Sequence, residues 1–122
     1  MASYQQCATP AGLLQVRVAD RFLTRALGLL VGKPLEPLEG LLISPCSSIH
    51  TVGMRYSIDV VFMDREARVM RVCAGVRAGR MRFAWGAHGV LELRSGVAAR
   101  HGLIPGVRVP ELTAALRPSR ML

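Results

Sequence analysis

Leu14, Val16 and Val18 alternate with Gln15 and Arg17, a period of two that predicts a half-buried strand over 13–18. Asp20 is placed to cap a helix. Phe22, Leu23, Ala26, Leu27 and Leu30 then fall on one stripe at helical spacing and predict that helix over 21–30, ended by Gly32 and Pro34. Gly28, on the opposite side, costs that helix about 1 kcal/mol relative to Ala and marks a place where neighbouring backbone comes close. Gly40-Leu41-Leu42-Ile43 predicts a short buried strand, and 44–48 is a turn by composition. Residues 49–52 and 58–63 predict two more strands, and the five residues between them suit an antiparallel hairpin with a longer loop. The stretch 58–63 is apolar on both faces apart from Asp59, so it should be covered on both sides.

Beyond it, 64–67 reads as a hairpin turn into a strand near 68–76, and 77–89, with Gly79, Gly86 and Gly89, as an irregular loop. Residues 90–94 alternate again, with Leu91 and Leu93 facing inward. Ser95 is placed to cap a short helix over 96–101 that Gly102 ends. Residues 103–109 give a turn and a last short strand, and 110–116 a terminal helical turn with Leu112 and Leu116 on one side. Residues 1–12 show no period and read as a tail, as do 111–122, around a single globular domain over 13–110. The expected fold class is α+β: a mainly antiparallel sheet or partly closed barrel with two short helices.

A chain of 122 residues is the size of one ordinary domain and buries roughly two-thirds of its unfolded surface. It therefore needs neither metal nor disulfide to fold. An apolar fraction of 51% suits a globular protein rather than a disordered one. No apolar run reaches the ~18 residues of a membrane span, and Tyr4, Gln5 and Gln6 break any signal-like stretch. Three irregularly spaced cysteines, Cys7, Cys46 and Cys73, do not describe a disulfide framework. A reducing, cytoplasmic setting is expected, with Cys73 acting as a small buried apolar residue. The net charge is +8 and Lys33 is the only Lys among 16 basic residues. That balance favours an anionic partner. The arginines are spread from Arg17 to Arg120 and aromatics are scarce, so stacking platforms for single-stranded nucleic acid look poor.

Several of these segments together resemble one family. They are Arg25-Ala26-Leu27-Gly28-Leu29-Leu30, Gly40-Leu41-Leu42-Ile43, Ile49-His50-Thr51-Val52-Gly53-Met54, Ile58-Asp59-Val60-Val61-Phe62-Met63-Asp64 and Val90-Leu91-Glu92-Leu93, with Ser95-Gly96 and Gly106 closing the set. In this order they resemble the bacterial and archaeal "domain of unknown function 192" family, from near Val16 to about Val109. Leu30 stands where the family usually has Met, and Val107 where it usually has an acidic residue. The resemblance implies a compact α+β fold dominated by antiparallel strands. It implies no activity, and many relatives carry an N-terminal export or membrane signal that this chain does not show.

Asp59 is the most informative polar residue, because a carboxylate on an apolar strand face must be paired, hydrogen-bonded or neutralised. A hairpin centred near Arg55 would set Thr51 across from it. It is either a ligand anchor or general base, or a structural carboxylate tying the 53–57 loop through backbone N–H groups or an Arg. Cys46 and His50 suggest a nucleophile and a base. Four residues apart on a strand they stand ~13 Å from each other, too far for transfer at ~3 Å unless the turn folds back. A metal site from Cys46, His50, Met54 and His88 lacks the spacing of a closed site, so no metal or cofactor is expected. His88 and His101 sit beside Gly in turn-like sequence and read as surface residues. Met54, Tyr56, Phe83 and Trp85 lie in the two longer loops. Arg77, Arg80 and Arg82 would give a pocket there a positive rim suited to carboxylate or phosphate. The expected function is a non-catalytic binding or accessory module for a small anionic ligand or an acidic protein partner. Its candidate residues are His50, Thr51, Met54, Asp59, Arg77, Arg80, Arg82 and Trp85. The alternatives are a small hydrolase or transferase using Cys46, His50 and Asp59, and non-specific nucleic-acid binding.

Overall fold

Alternation of side chains organises eight strands in this computed structural model, which describes residues 3–19, 35–36 and 38–116. They are β1 (Ser3–Thr9), β2 (Gly12–Val18), β3 (Glu39–Ile43), β4 (Ser48–His50), β5 (Ile58–Met63), β6 (Val69–Val76), β7 (Met81–Phe83) and β8 (Gly89–Arg94). Two one-turn helices lie beyond them in the chain, α1 (Val97–Arg100) and α2 (Thr113–Leu116), with a 3-10 turn at Pro110–Leu112 leading into the second. Six strands form one sheet in the order β1-β2-β3-β8-β5-β6, while β4 and β7 form a separate two-stranded ribbon. The α+β expectation, sheet-dominated, holds. No barrel closes, since β1 and β6 remain the two edges. The sheet is mixed, because β2 and β3 run parallel. A parallel pair needs a crossover of a dozen or more residues. The helix expected over 21–30 falls in that connection and lies outside the described residues.

The expected hairpin between 49–52 and 58–63 does not form. β5 pairs instead with β6 on one side and β8 on the other, and β4 pairs with β7. A period of two says that a segment is a strand; it does not name the partner. β7 lies inside the stretch expected as an irregular loop, where Met81-Arg82-Phe83 is too short an alternation to stand out. Over 103–109, in place of a last strand, there is one isolated bridge between Arg68 and Arg108. Both expected tails differ as well. Ser3–Thr9 makes a seven-step antiparallel ladder with β2 and buries Cys7 completely. At the other end Leu112 and Leu116 are fully buried. An uncharged strand with one inward thiol gives too little periodic signal to read alone, whereas the helical turn expected over 110–116 forms, with Leu112 and Leu116 turned inward.

Both faces of the sheet are covered, as the all-buried strands β3 and β5 require. Leu14, Val16, Leu42, Val61, Met63, Leu91 and Leu93 point to one face, where α1, the 103–109 segment and the C-terminal turns pack. Leu41, Ile43, Val60, Phe62 and Val90 point to the other, where Leu35, the ribbon residue Ile49, and Ala84 and Ala87 just past β7 complete a second core. Full burial of one such side chain contributes roughly 1.5–3 kcal/mol, so the two layers supply the main driving force.

Candidate functional site

Asp59 faces the first core and is 1% exposed. Its carboxylate accepts three backbone N–H groups, from Gly75 at 2.9 Å and from Gly96 and Ala98 at 3.0 Å each. A register shift between Ile58 and Val60 admits an extra residue in β6, and Gly75 there takes φ 60. Gly96, at the N-terminus of α1, takes φ 92. Left-handed backbone at both places is glycine territory, and it turns the two N–H groups onto one carboxylate. Ser95 makes no side-chain cap to α1, contrary to expectation; Asp59 of a neighbouring strand meets the helix's first N–H groups instead. Of the two readings of Asp59, the structural one through backbone N–H groups describes this geometry, but the tied segments are β6 and α1 rather than the 53–57 loop.

Thr51 is likewise not across from Asp59. It is 1% exposed beside the ribbon. Its hydroxyl donates to the Arg77 carbonyl at 2.6 Å and accepts from the Arg80 N–H at 2.9 Å. Its main chain bonds the Arg80 carbonyl and the Gly79 N–H. Thr51 thus clamps the 77–80 turn, and the guanidinium-bearing side chains of Arg77 and Arg80 are left exposed. Met54 and Tyr56 are half-buried against the second core. The Tyr56 hydroxyl accepts from Leu35 N–H at 3.3 Å, and its ring lies 4.9 Å from the Arg94 guanidinium carbon. These two residues therefore leave the candidate surface.

The ribbon gathers the rest. Its register sets Ser48 opposite Phe83, Ile49 opposite Arg82 and His50 opposite Met81. Ile49 turns inward to the second core, so Ser48, His50, Met81 and Phe83 share the outward face. Met81 is 68%, Phe83 57% and Trp85, just past the strand, 91% exposed. An open groove of about 470 Å³ lies at the Ser48–Phe83 end of this face, lined by Ser47, Ser48 and residues 83–87. Arg71 donates through Nη1 to the Phe83 carbonyl, and Arg82 donates through Nη1 to the Met81 carbonyl at 2.8 Å. Each keeps further N–H groups for an anion. The sequence pointed to His50 and Trp85 but not to Ser48, Met81 or Arg71, whose place on this surface depends on a strand pairing that no local pattern encodes; Arg82, opposite Ile49, falls on the inward side of the ribbon.

The three residues of the hydrolase alternative do not converge. Asp59 belongs to the core on the far face of the sheet, with its oxygens engaged by three N–H groups. Cys46 donates its thiol to the Ser48 carbonyl at 3.0 Å, and His50 stands on the ribbon opposite Met81. Burial, reinforced by the charge of Glu111, pushes the Cys7 thiol up to about 12, so it stays protonated at neutral pH. Of the two histidines expected at the surface, His88 is half-exposed and His101 is not a surface residue. His88 accepts from Arg65 Nε at 2.6 Å, and buried His101 shares a 2.7 Å hydrogen bond with Thr9 Oγ1. Among the described residues no group of three or more His, Cys, Asp or Glu is placed to hold a metal ion. None of the described helices is long and apolar enough to cross a membrane.

A sheet-dominated α+β domain with an exposed aromatic ribbon is thus the class of protein in hand. The chain belongs to the DUF192 family, described as an uncharacterized ACR, whose pattern matches residues 6–110. It is 44% identical over 64 residues to a UPF0127 protein of Pyrococcus horikoshii. That match takes in 48% of this chain and 53% of the relative, so the chain spans about half the length of the curated relative it matches. In fold it is similar to a protein of unknown function from Novosphingobium aromaticivorans, with a TM-score of 0.74 and 24% identity over 88% of this chain and 84% of the other. It is also similar to a candidate transcription regulator from Sinorhizobium meliloti, with a TM-score of 0.75 and 19% identity over 89% and 92% of the two chains. At these identities the two structures speak to fold alone.

Proposed function

We propose that this domain is a non-catalytic binding module, and that its β4–β7 ribbon takes an acidic peptide segment of a protein partner. The observation that carries this is the chain's single Trp, Trp85, standing 91% exposed beside Phe83 and Met81. Large aromatic and Met side chains left in water on one small face are typical of recognition surfaces. Arg71, exposed and bonded to the Phe83 carbonyl, and the exposed Arg77 and Arg80 of the turn leading into β7 border that face and make its complement acidic. The groove is open and its walls are largely apolar, which suits an extended peptide better than a small anion; small anions need an enclosing set of donors. Thr51 and Asp59 enter this reading as supports of the framework rather than as contacts. A reducing, cytoplasmic setting accords with three cysteines that form no disulfide.

Trp85 reports on its own site. Titration with a synthetic peptide mixing Glu and Leu should shift its fluorescence saturably, and the same peptide with Lys for Glu should not. Trp85→Ala should abolish binding detected by calorimetry while leaving the unfolding free energy within about 0.5 kcal/mol of wild type, since an exposed side chain adds little to stability. Indifference of Trp85 to every acidic peptide tried, or stronger binding to a single-stranded oligonucleotide, would overturn the proposal.

A further inference from the structure

Sheet edges are templates for further pairing, and proteins ordinarily blunt them with charge, Pro, bulges or covering segments. The two edges of this sheet differ sharply in that respect. β6 carries two register irregularities against β5 and includes Arg71. β1 pairs with β2 through seven consecutive positions, Ser3 opposite Val18 to Thr9 opposite Gly12, without a shift. It holds no Pro and no charge. Indeed, the first charged side chain in the sequence is Arg17, although the chain has 16 basic and 8 acidic residues.

The two-residue turn at Pro10 and Ala11 makes Thr9 and Gly12 the first hydrogen-bonded pair of the hairpin. Ser3, Gln5, Cys7 and Thr9 therefore direct their main chain towards β2, and Tyr4, Gln6 and Ala8 direct theirs to the open side. The Ala8 N–H confirms the phase, since it donates outward to Glu111 Oε2 at 3.1 Å. Glu111 thus covers one end of the edge. At the other, Tyr4 and Gln6 are exposed, and among the described residues the Gln6 carbonyl is met only by the Gln5 side-chain amide at 3.4 Å.

We infer that two copies of this chain join edge to edge through β1, antiparallel about a two-fold axis at Gln5. Tyr4 then exchanges both main-chain hydrogen bonds with Gln6 of the partner subunit, and Gln6 with Tyr4 of the partner subunit. Ala8 stays with Glu111, which fixes this register against one centred on Gln6. A second copy is the occupant the chemistry favours. The segment is self-complementary under a two-fold axis, and along it two chains of charge +8 meet without like charges side by side. The inference uses a different surface from the ribbon and stands without it.

Because the remaining charges repel at long range, association should strengthen as salt rises, opposite to acidic-peptide binding at the ribbon. Sedimentation of the full chain across concentration should show a monomer–dimer equilibrium. Gln5→Lys and Gln5→Glu should each weaken dimerisation at least about tenfold by setting like charges opposite each other, and an equimolar mixture of the two should recover it. Gln6→Pro should also abolish the dimer while leaving the β1–β2 ladder intact, because its N–H faces outward. Trp85→Ala should dimerise like wild type. A wild-type chain that stays monomeric at its solubility limit would overturn the inference. So would a dimer that survives Gln6→Pro, one that Trp85→Ala dissociates, or charge variants that fail to complement each other.

Discussion

Asp59 shows what a single carboxylate does when it is taken out of water. Three N–H donors from two separate segments converge on it, and that of Ala98 is buried with it. Leaving a buried donor unsatisfied costs about 1–3 kcal/mol. Asp59→Ala should therefore destabilise the fold by about 3–5 kcal/mol in urea unfolding, and Asp59→Asn by somewhat less, since one oxygen still accepts although its amide NH₂ faces a donor. The variants should also lose amide-exchange protection first at Gly75, Gly96 and Ala98. A loss below about 1 kcal/mol would mean that the three bonds do not hold β6 and α1 to the sheet. The sequence announced Asp59 as a residue requiring partners, because a lone acid in an apolar strand is a local signal. It could not name Gly75 and Gly96, which lie 16 and 37 positions away.

At the level of elements, the ribbon depends on Thr51 more than on its own short ladder. β4 and β7 are three residues each, and an isolated two-stranded hairpin of that size is marginal. The Thr51 hydroxyl bonds both sides of the 77–80 turn, and its main chain adds two more bonds. Thr51→Val keeps the shape and removes the hydroxyl. It should cost about 1–2 kcal/mol and speed hydrogen exchange in 77–82 while leaving β5 and β8 protected, a pattern readable by exchange mass spectrometry. Strands with strong alternation or unbroken apolar runs, β2, β3, β5 and β8, were legible in advance because burial on one or both faces writes itself into local sequence. β1 and β7 were not, since their inward residues are few. The pairing of β4 with β7 rather than with β5 is a property of the assembled chain, and it takes Asp59 out of the candidate surface and brings Ser48 and Met81 into it beside Trp85.

For the whole molecule, the most consequential group is one that looks in sequence like the polar position of an alternating strand. Glu92 sits in β8 between Leu41 and Val60 and is 6% exposed. Burial raises its carboxyl from 4.5 to about 7. The folded form thus binds its proton more tightly than the unfolded form does. Its contribution to stability is complete below about pH 4.5 and fades as pH climbs to about 7, a loss of up to about 3 kcal/mol. Glu92→Gln should flatten that part of the pH profile and unfold at higher urea than wild type at pH 8; parallel profiles for the two proteins would refute this. Because the sheet and both cores are finished without them, Ser48, His50, Met81 and Phe83 make up a face whose chemistry can be rewritten while the scaffold beneath is left alone. Randomising those positions in a display library should yield folded variants with new specificities, as grafted loops do on an immunoglobulin frame.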